Sequence, residues 1–480
     1  MFGKIISMED NWVTVENVSQ KLEYNYINYH VIFNEENRKI VGEITSIKEK
    51  EIIILLVGEI KDEVFYSGVL KKPNFSTVPR LVYKSEVELF LGNQDISNKD
   101  VLYIGKSNTY EGFNVSADLN GFFANHFAII GNTGSGKSCG VARLLQNIFY
   151  HNDSSLPVNA HIVLFDVYGE YNTALSDISK TPNMGYKNLT TKLDLSEGDI
   201  LNIPAYFLEV DDLALLLNAT SPSQLPIIEK ALKLVHIFNS KDEIMQEYKN
   251  DIIASSLLDI LSSGRTSVQI RDQIVAILTH YNTSTLNLDT QIIQPGYSRT
   301  IKQCLNIDQQ GKMNSVQFVV DFLGKFKKLD LSMIKTDSTL IYTLDDLYYA
   351  FEFALISEGI LKSEKVYDEF NQLKTRLQQI INSPVKQFFN VTEERISKER
   401  YIKELLFGVG EDRRQIINMS LNYIDERFAK VLTKIFTKMF FDFSTDLEER
   451  ASYPIHIILE EAHRYVQNDS DIDVLGYNIF

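Results

Sequence analysis

The feature that most narrows what this chain can be is an eight-residue run: Gly131, Asn132, Thr133, Gly134, Ser135, Gly136, Lys137 and Ser138. It carries the spacing G-x-x-x-x-G-K-[ST] at every fixed position. Glycines so closely set spoil a regular helix or strand, but they let consecutive backbone N–H groups curl around a polyphosphate. The flanks agree with that use. HFAIIG, before the run, has the pattern of a brief buried strand that stops at a glycine. After it, Val141, Leu144, Leu145 and Ile148 of CGVARLLQNIFYH fall at helical spacing. Strand, glycine loop and helix together aim the positive end of a helix at the phosphates, bring Lys137 to their β and γ oxygens, and offer the Ser138 hydroxyl to Mg²⁺. Residues 131–139 are therefore the expected nucleotide-binding segment. Cys139, which opens the helix, reads as a small packed residue within it.

Such a loop binds nucleotide, whereas hydrolysis also requires a carboxylate beside the metal and a group that orients water. The segment Ile455 to Leu459 followed by Glu460 and Glu461 has the expected form, an apolar strand delivering adjacent acids at its carboxyl end. Successive side chains on a strand diverge, so the pair can do two jobs. Glu460 is expected in the Mg²⁺ shell and Glu461 beside the attacking water. Asp166 and Glu170 of FDVYGEY leave a second apolar strand, Ile162 to Phe165, in the same manner. Asp166 is expected to buttress Mg²⁺ or the loop, and Glu170 to meet the water at the γ-phosphate or a neighbouring subunit; the plainer alternative is a turn at Gly169. His126 and His463 read as structural residues rather than bases.

At 480 residues the chain exceeds one ordinary core, and its texture changes along its length. Residues 1–95 offer WVTVENV, NYHVIFN, KIVGEITSI, EIIILLVGEI, VPRLVYK and VELFLG, short β-rich segments that suggest a small barrel or sandwich. Residues 96–204 hold the phosphate loop and FDVYGEY. Residues 205–404 read as a helical insertion: an apolar stripe runs from Pro226 to Phe238, and Thr343 with Asp346 forms a capping box for a helix that halts at Gly359. Its cluster Lys325, Lys327 and Lys328 reads as a solvated helix face. Residues 405–480 return to α/β texture, with RRQIINMS as a strand, a periodic helix from Phe428 to Phe440, and IHIIL as a further strand.

The net charge of −16 argues against coating nucleic acid by bulk electrostatics, so any DNA contact is expected to be local, in a groove or pore. The longest apolar run, Ile52 to Val57, is far too short to span a bilayer. Glu9 and Asp10 interrupt any leader, and two cysteines build no disulfide framework. The expectation is a soluble, cytoplasmic protein.

The combination of HFAIIGNTGSGKS, FDVYGEY and IILEEAHRYV resembles the HerA branch of the HerA/FtsK ATPases. The resemblance implies an α/β fold: a RecA-like P-loop ATPase core, an N-terminal small β-barrel (the HAS-barrel of that family) and a helical insertion. It implies ATP and Mg²⁺ as cofactors and a homo-hexameric ring that translocates double-stranded DNA through a central pore. It also implies an effector protein partner, a NurA-like nuclease or, in anti-phage defence, a sirtuin-like NAD-consuming protein or another effector. Carried over by motif, Lys137 is the Walker A lysine, Ser138 the metal-side hydroxyl, and Glu460 and Glu461 the acidic pair. The first acid is Glu where many P-loop enzymes carry Asp. Only 19 of the 480 residues follow Glu461, whereas a complete core of this family continues with more strands, a polar sensor and an arginine finger. The end, VLGYNIF, lacks a helix-stop signal, and the expectation is a fragment or a truncated chain. Two other readings share the core: a nucleotide-dependent ring scaffold that regulates an effector with little translocation, and a secretion or conjugation ATPase.

Overall fold

The computed structural model describes residues 1–465 except 20–23, 93, 94, 96, 97, 99, 150–158, 183, 195, 241, 314, 328–339, 359–363, 392, 393, 409–412 and 451. Lys328, Gly359 and the VLGYNIF end lie outside the described residues. The chain is mixed α/β and divides into two compact units, 1–158 with 173–184 and 159–172 with 185–480.

In the first unit, alternation with period two builds a mainly antiparallel sheet. Its strands are β1 (Phe2–Glu9), β2 (Trp12–Asn17), β3 (His30–Glu35), β4 (Arg38–Ile47), β5 (Glu51–Lys61), β6 (Val64–Ser67) and β7 (Arg80–Leu81). They are ordered β1-β2-β5-β4-β3-β7, with β6 added to β5. The inward side chains Val13, Val15, Val31, Phe33, Ile40, Ile44, Ile52 and Ile54 are fully buried and form one core. VELFLG, expected as β-rich, is instead the end of helix α1 (Lys84–Leu91). The Glu86 carboxylate accepts the Tyr83 N–H at 2.9 Å, which caps the helix and overrides an apolar pattern too short to distinguish the two periods. A hairpin of β8 (Val101–Lys106) and β9 (Asn114–Asp118), the short α2 (Leu119–Phe123) and α3 (Lys137–Phe149) complete this unit. HFAIIG, expected as a buried strand, pairs with no strand among the described residues, and Ile130 is 92% exposed. A parallel strand is buried only when neighbours cover it, and an apolar run cannot itself supply those neighbours.

The second unit is organised around β10 (His161–Asp166), β11 (Tyr186–Thr190) and β12 (Asp199–Ile200), and the short α4 (Tyr171–Leu175) begins in it and ends in the first unit. Next come α5 (Val210–Leu216), α6 (Gln224–Asn239), α7 (Glu243–Leu261), α8 (Ser267–His280), and a hairpin of β13 (Gln291–Gln294) and β14 (Tyr297–Thr300). The helices continue with α9 (Ile301–Cys304), α10 (Val316–Leu323), α11 (Leu344–Glu358), α12 (Glu364–Ile381) and α13 (Lys398–Phe407). The chain then returns to the sheet with β15 (Ile416–Ser420), α14 (Glu426–Thr445) and β16 (Ile455–Leu459). The Thr343–Asp346 capping box is formed, with Thr343 N–H donating to Asp346 at 2.8 Å and Asp346 N–H to Thr343 Oγ1 at 3.2 Å.

The five strands run in the order β12-β11-β15-β10-β16, all in parallel. β10 and β15 are buried along their whole length, as interior parallel strands must be, and β16 is half-buried at the edge. Val163, Phe165, Ile417 and Met419 of these strands share one core with Phe436 of α14 and with Ile253, Phe351 and Leu373 of the intervening helices. The helical block is thus packed into the sheet's own core. No described helix is long and apolar enough to cross a membrane.

Candidate functional site

The phosphate-loop residues belong to the first unit. Gly134 and Gly136 have φ of 79° and 88°, a region that L side chains rarely adopt, and a Cβ at either would project into open space. α3 begins at Lys137, so the loop ends on the first turn of a 13-residue helix whose N–H groups lack intrahelical acceptors. Ser135 N–H donates to Asn132 O at 3.1 Å, and Lys137 Nζ folds back onto the same carbonyl at 3.2 Å. Gly131 packs so closely that an added Cβ would lie 2.4 Å from Ser135 Oγ. From Gly131 through Gly136 the loop is exposed, with Lys137 and Ser138 half-buried. Open left-handed glycines, a helix N-terminus and an ammonium group are the donors a polyphosphate requires. Cys139 is exposed, not packed as expected, because the first turn of α3 turns it outward while Ala142, Leu145 and Ile148 take the buried face.

The carboxylates belong to the second unit, at the carboxyl ends of β10 and β16, where Phe165 pairs with Leu459. Glu460 is buried, and its Oε2 accepts the Val167 N–H at 3.1 Å. Glu461 stands in the left-handed region, φ 49° and ψ 49°, uncommon for a residue with a side chain. Arg464 N–H closes the turn on Glu461 O at 2.8 Å, and Tyr465 N–H closes on Ala462 O at 3.0 Å. Tyr465 is buried beneath the turn, and burial pushes its hydroxyl up to about 12. Glu461 Oε2 lies 3.3 Å from Nδ1 of the exposed His463.

Asp166 is fully buried and its carboxylate is occupied. Oδ1 accepts the N–H groups of Gly169 at 2.7 Å and Glu170 at 3.1 Å, and Oδ2 accepts that of Tyr171 at 3.0 Å. This is the geometry of a turn organiser. Gly169 has φ 75°, a left-handed conformation in which a side chain is strained, and a Cβ there would lie 2.5 Å from Asn422 Nδ2, so a larger residue would also have to displace that amide. Glu170 is exposed and joins the others through its backbone.

Asp166, Glu170, Glu460 and Glu461 therefore share one end of the sheet. Sequence reasoning overlooked the residues that hold this end together. Asn418, in the middle of β15, reaches Asp166 Oδ2 at 3.3 Å, and Arg464 donates to the Tyr168 hydroxyl at 3.1 Å. The available signal was an asparagine interrupting a fully buried strand. Among the described residues no group of three or more His, Cys, Asp or Glu could hold a metal by itself. The oxygen donors present, a serine hydroxyl and single carboxylates, suit Mg²⁺ that takes its remaining ligands from phosphate and water.

A mixed α/β chain with a glycine phosphate loop opening a helix falls in the class of P-loop proteins. Residues 102–440 match the family described as "Helicase HerA, central domain", and this chain belongs to that family. It is also similar to "Probable helicase MJ1565" of Methanocaldococcus jannaschii, 28% identical over 249 residues, covering 48% of this chain and 44% of that protein. The matched region is thus less than half of the relative's length.

Proposed function

We propose that this chain hydrolyses ATP with Mg²⁺ and couples hydrolysis to translocation or unwinding of double-stranded DNA. It does so as one subunit of a homo-hexameric ring that acts with an effector protein, nuclease or NAD-consuming, of the kind used in anti-phage defence. The observation that carries most weight is the phosphate loop, two open left-handed glycines leading to Lys137 at the head of α3, in a chain of the HerA family. In this reading residues 131–139 wrap the triphosphate, and Lys137 offsets its charge. Ser138 and Glu460 are the oxygen donors for Mg²⁺, which when bound neutralises charge on the transferred phosphoryl group. Glu461 orients the attacking water. Those two carboxylates differ in setting, one buried and fixed by the Val167 N–H, the other half-exposed. Residues 1–95 serve as the HAS-barrel-like module, and 96–204 with 405–480 as the RecA-like core around the 205–404 insertion.

Steady-state ATPase assays with duplex DNA of increasing length test this reading. Turnover is expected to rise with duplex length. Lys137→Ala should lose ATP binding, whereas Glu461→Gln should keep binding and lose about a hundredfold or more in turnover. Wild-type turnover in both variants would remove the site assignment, and indifference to DNA would remove the translocase.

A further inference from the structure

Four donors hold the Asp166 carboxylate, and one of them comes from a different strand. That donor is Asn418 Nδ2 on β15, 3.3 Å from Oδ2; the other three are the N–H groups of Gly169, Glu170 and Tyr171. Asn418 is 0% exposed, in a strand whose other residues, Ile416, Ile417, Met419 and Ser420, are buried as well. The same Nδ2 donates to Asn188 Oδ1 on β11 at 2.9 Å. With two acceptors in front of it, the side-chain amide has only one chemically sensible orientation. That orientation leaves Asn418 Oδ1 buried without a hydrogen-bond partner among the described residues. An orphaned buried acceptor costs stability, so a residue chosen for packing alone at this position would be apolar.

We infer that Asn418 is a positioning residue for the hydrolytic site: it fixes the Asp166 carboxylate from the neighbouring strand, and Asp166 in turn sets the loop that orients Glu460. The relay is short and continuous. Asp166 gathers the N–H groups of residues 169–171, and this shapes the loop that begins at Val167. The Val167 N–H holds Glu460 Oε2 at 3.1 Å. Slackening the first link lets the loop relax and the acidic pair lose its aim, although Asn418 itself touches no reacting group. The kinetic half of this inference rests on the ATPase reading above, and the structural half does not. Tyr186 is the titratable group on β11 that faces the network; burial and the Asp166 charge both push its hydroxyl up, so it stays neutral across the working range.

The full chain carries the test, through Asn418→Leu, which keeps the volume and removes the donor, and Asn418→Asp. Residue-resolved hydrogen exchange at Gly169, Glu170 and Tyr171 is expected to quicken about tenfold in Asn418→Leu. Its kcat for ATP should fall about tenfold, with KM within about twofold. In Asn418→Asp two carboxylates meet and cannot both ionise cheaply. That variant should lose activity at alkaline pH and regain it as the pH falls and a shared proton supplies the missing donor, a profile a merely structural position would not give. Should the leucine variant fail to fold, Asn418→Asp compared at alkaline and at acid pH provides both readouts, with faster exchange and lower kcat expected only at alkaline pH. Wild-type exchange at the three amides overturns the relay, as does wild-type kcat in Asn418→Leu when Glu461→Gln is inactive. If Glu461→Gln turns over like the wild type, the ATPase assignment fails, and exchange alone decides the relay: faster supports it, unchanged overturns it.

Discussion

The phosphate loop and the acidic end of the five-stranded sheet are built on opposite principles. The loop spans eight consecutive residues, exposed from Gly131 to Gly136, and owes its shape to glycine conformations and to contacts among Asn132, Ser135 and Lys137. The acidic end is assembled from β10, β15 and β16, with Asp166 on β10 more than 250 positions from Asn418 and Glu460, and the carboxylates of Asp166 and Glu460 are buried. A local device can be moved with its motif, whereas the second exists only after the sheet has formed. Loss of one side chain should therefore cost the loop ligand affinity and cost the acidic end folding stability.

Asp166→Ala is the most severe test of that contrast. It strands three backbone N–H groups and the Asn418 amide, so a loss of about 3 kcal/mol in unfolding free energy is expected by denaturant titration. A loss below about 1 kcal/mol would mean that the loop is held by something other than Asp166.

Glu86, in the first turn of α1 in the N-terminal unit, is a control for a buried carboxylate held by cations. Burial pushes it up, but Arg80, the Tyr83 N–H and Lys39 outweigh that and bring it from 4.5 down to about 2. Because the folded value lies below the unfolded one, the stabilisation is fully present above about pH 4.5 and is lost as the pH falls towards 2. Glu86→Gln should therefore cost about 2 kcal/mol at pH 7 and cancel that part of the acid sensitivity, read by circular dichroism across this window.

The smallest stability effect is expected at the loop. Gly136→Ala meets open space and only a left-handed backbone penalty of about 1 kcal/mol. Calorimetry should nevertheless show a marked loss of nucleotide affinity, because the added methyl stands where the backbone approaches phosphate. A stability loss as large as that of Asp166→Ala would erase the distinction between the two regions.

Much of the architecture was legible in the sequence for the same reason. β2, β3, β4 and β5, α6, the α11 capping box, α14 and the strands at 161–166, 416–420 and 455–459 follow patterns of period two or 3.6 that survive any tertiary context. VELFLG and HFAIIG did not follow theirs. The first is decided by a cap from Glu86, the second by whether neighbouring strands cover it.

What the sequence determined unaided is whatever is written in consecutive residues: the glycine loop, the helix behind it, and the apolar strand that ends in Glu460 and Glu461. Only the tertiary structure decided that Asp166 is buried, with its carboxylate accepting the N–H groups of Gly169, Glu170 and Tyr171. It also decided that Asn418 stands on the strand beside that of Asp166, and that the helices between β12 and β15 share the sheet's core. The reason is physical. Backbone conformation and amphipathic period are set by near neighbours, whereas the partner of a buried polar group is set by strand register, which brings distant residues within hydrogen-bond reach only once the chain has folded.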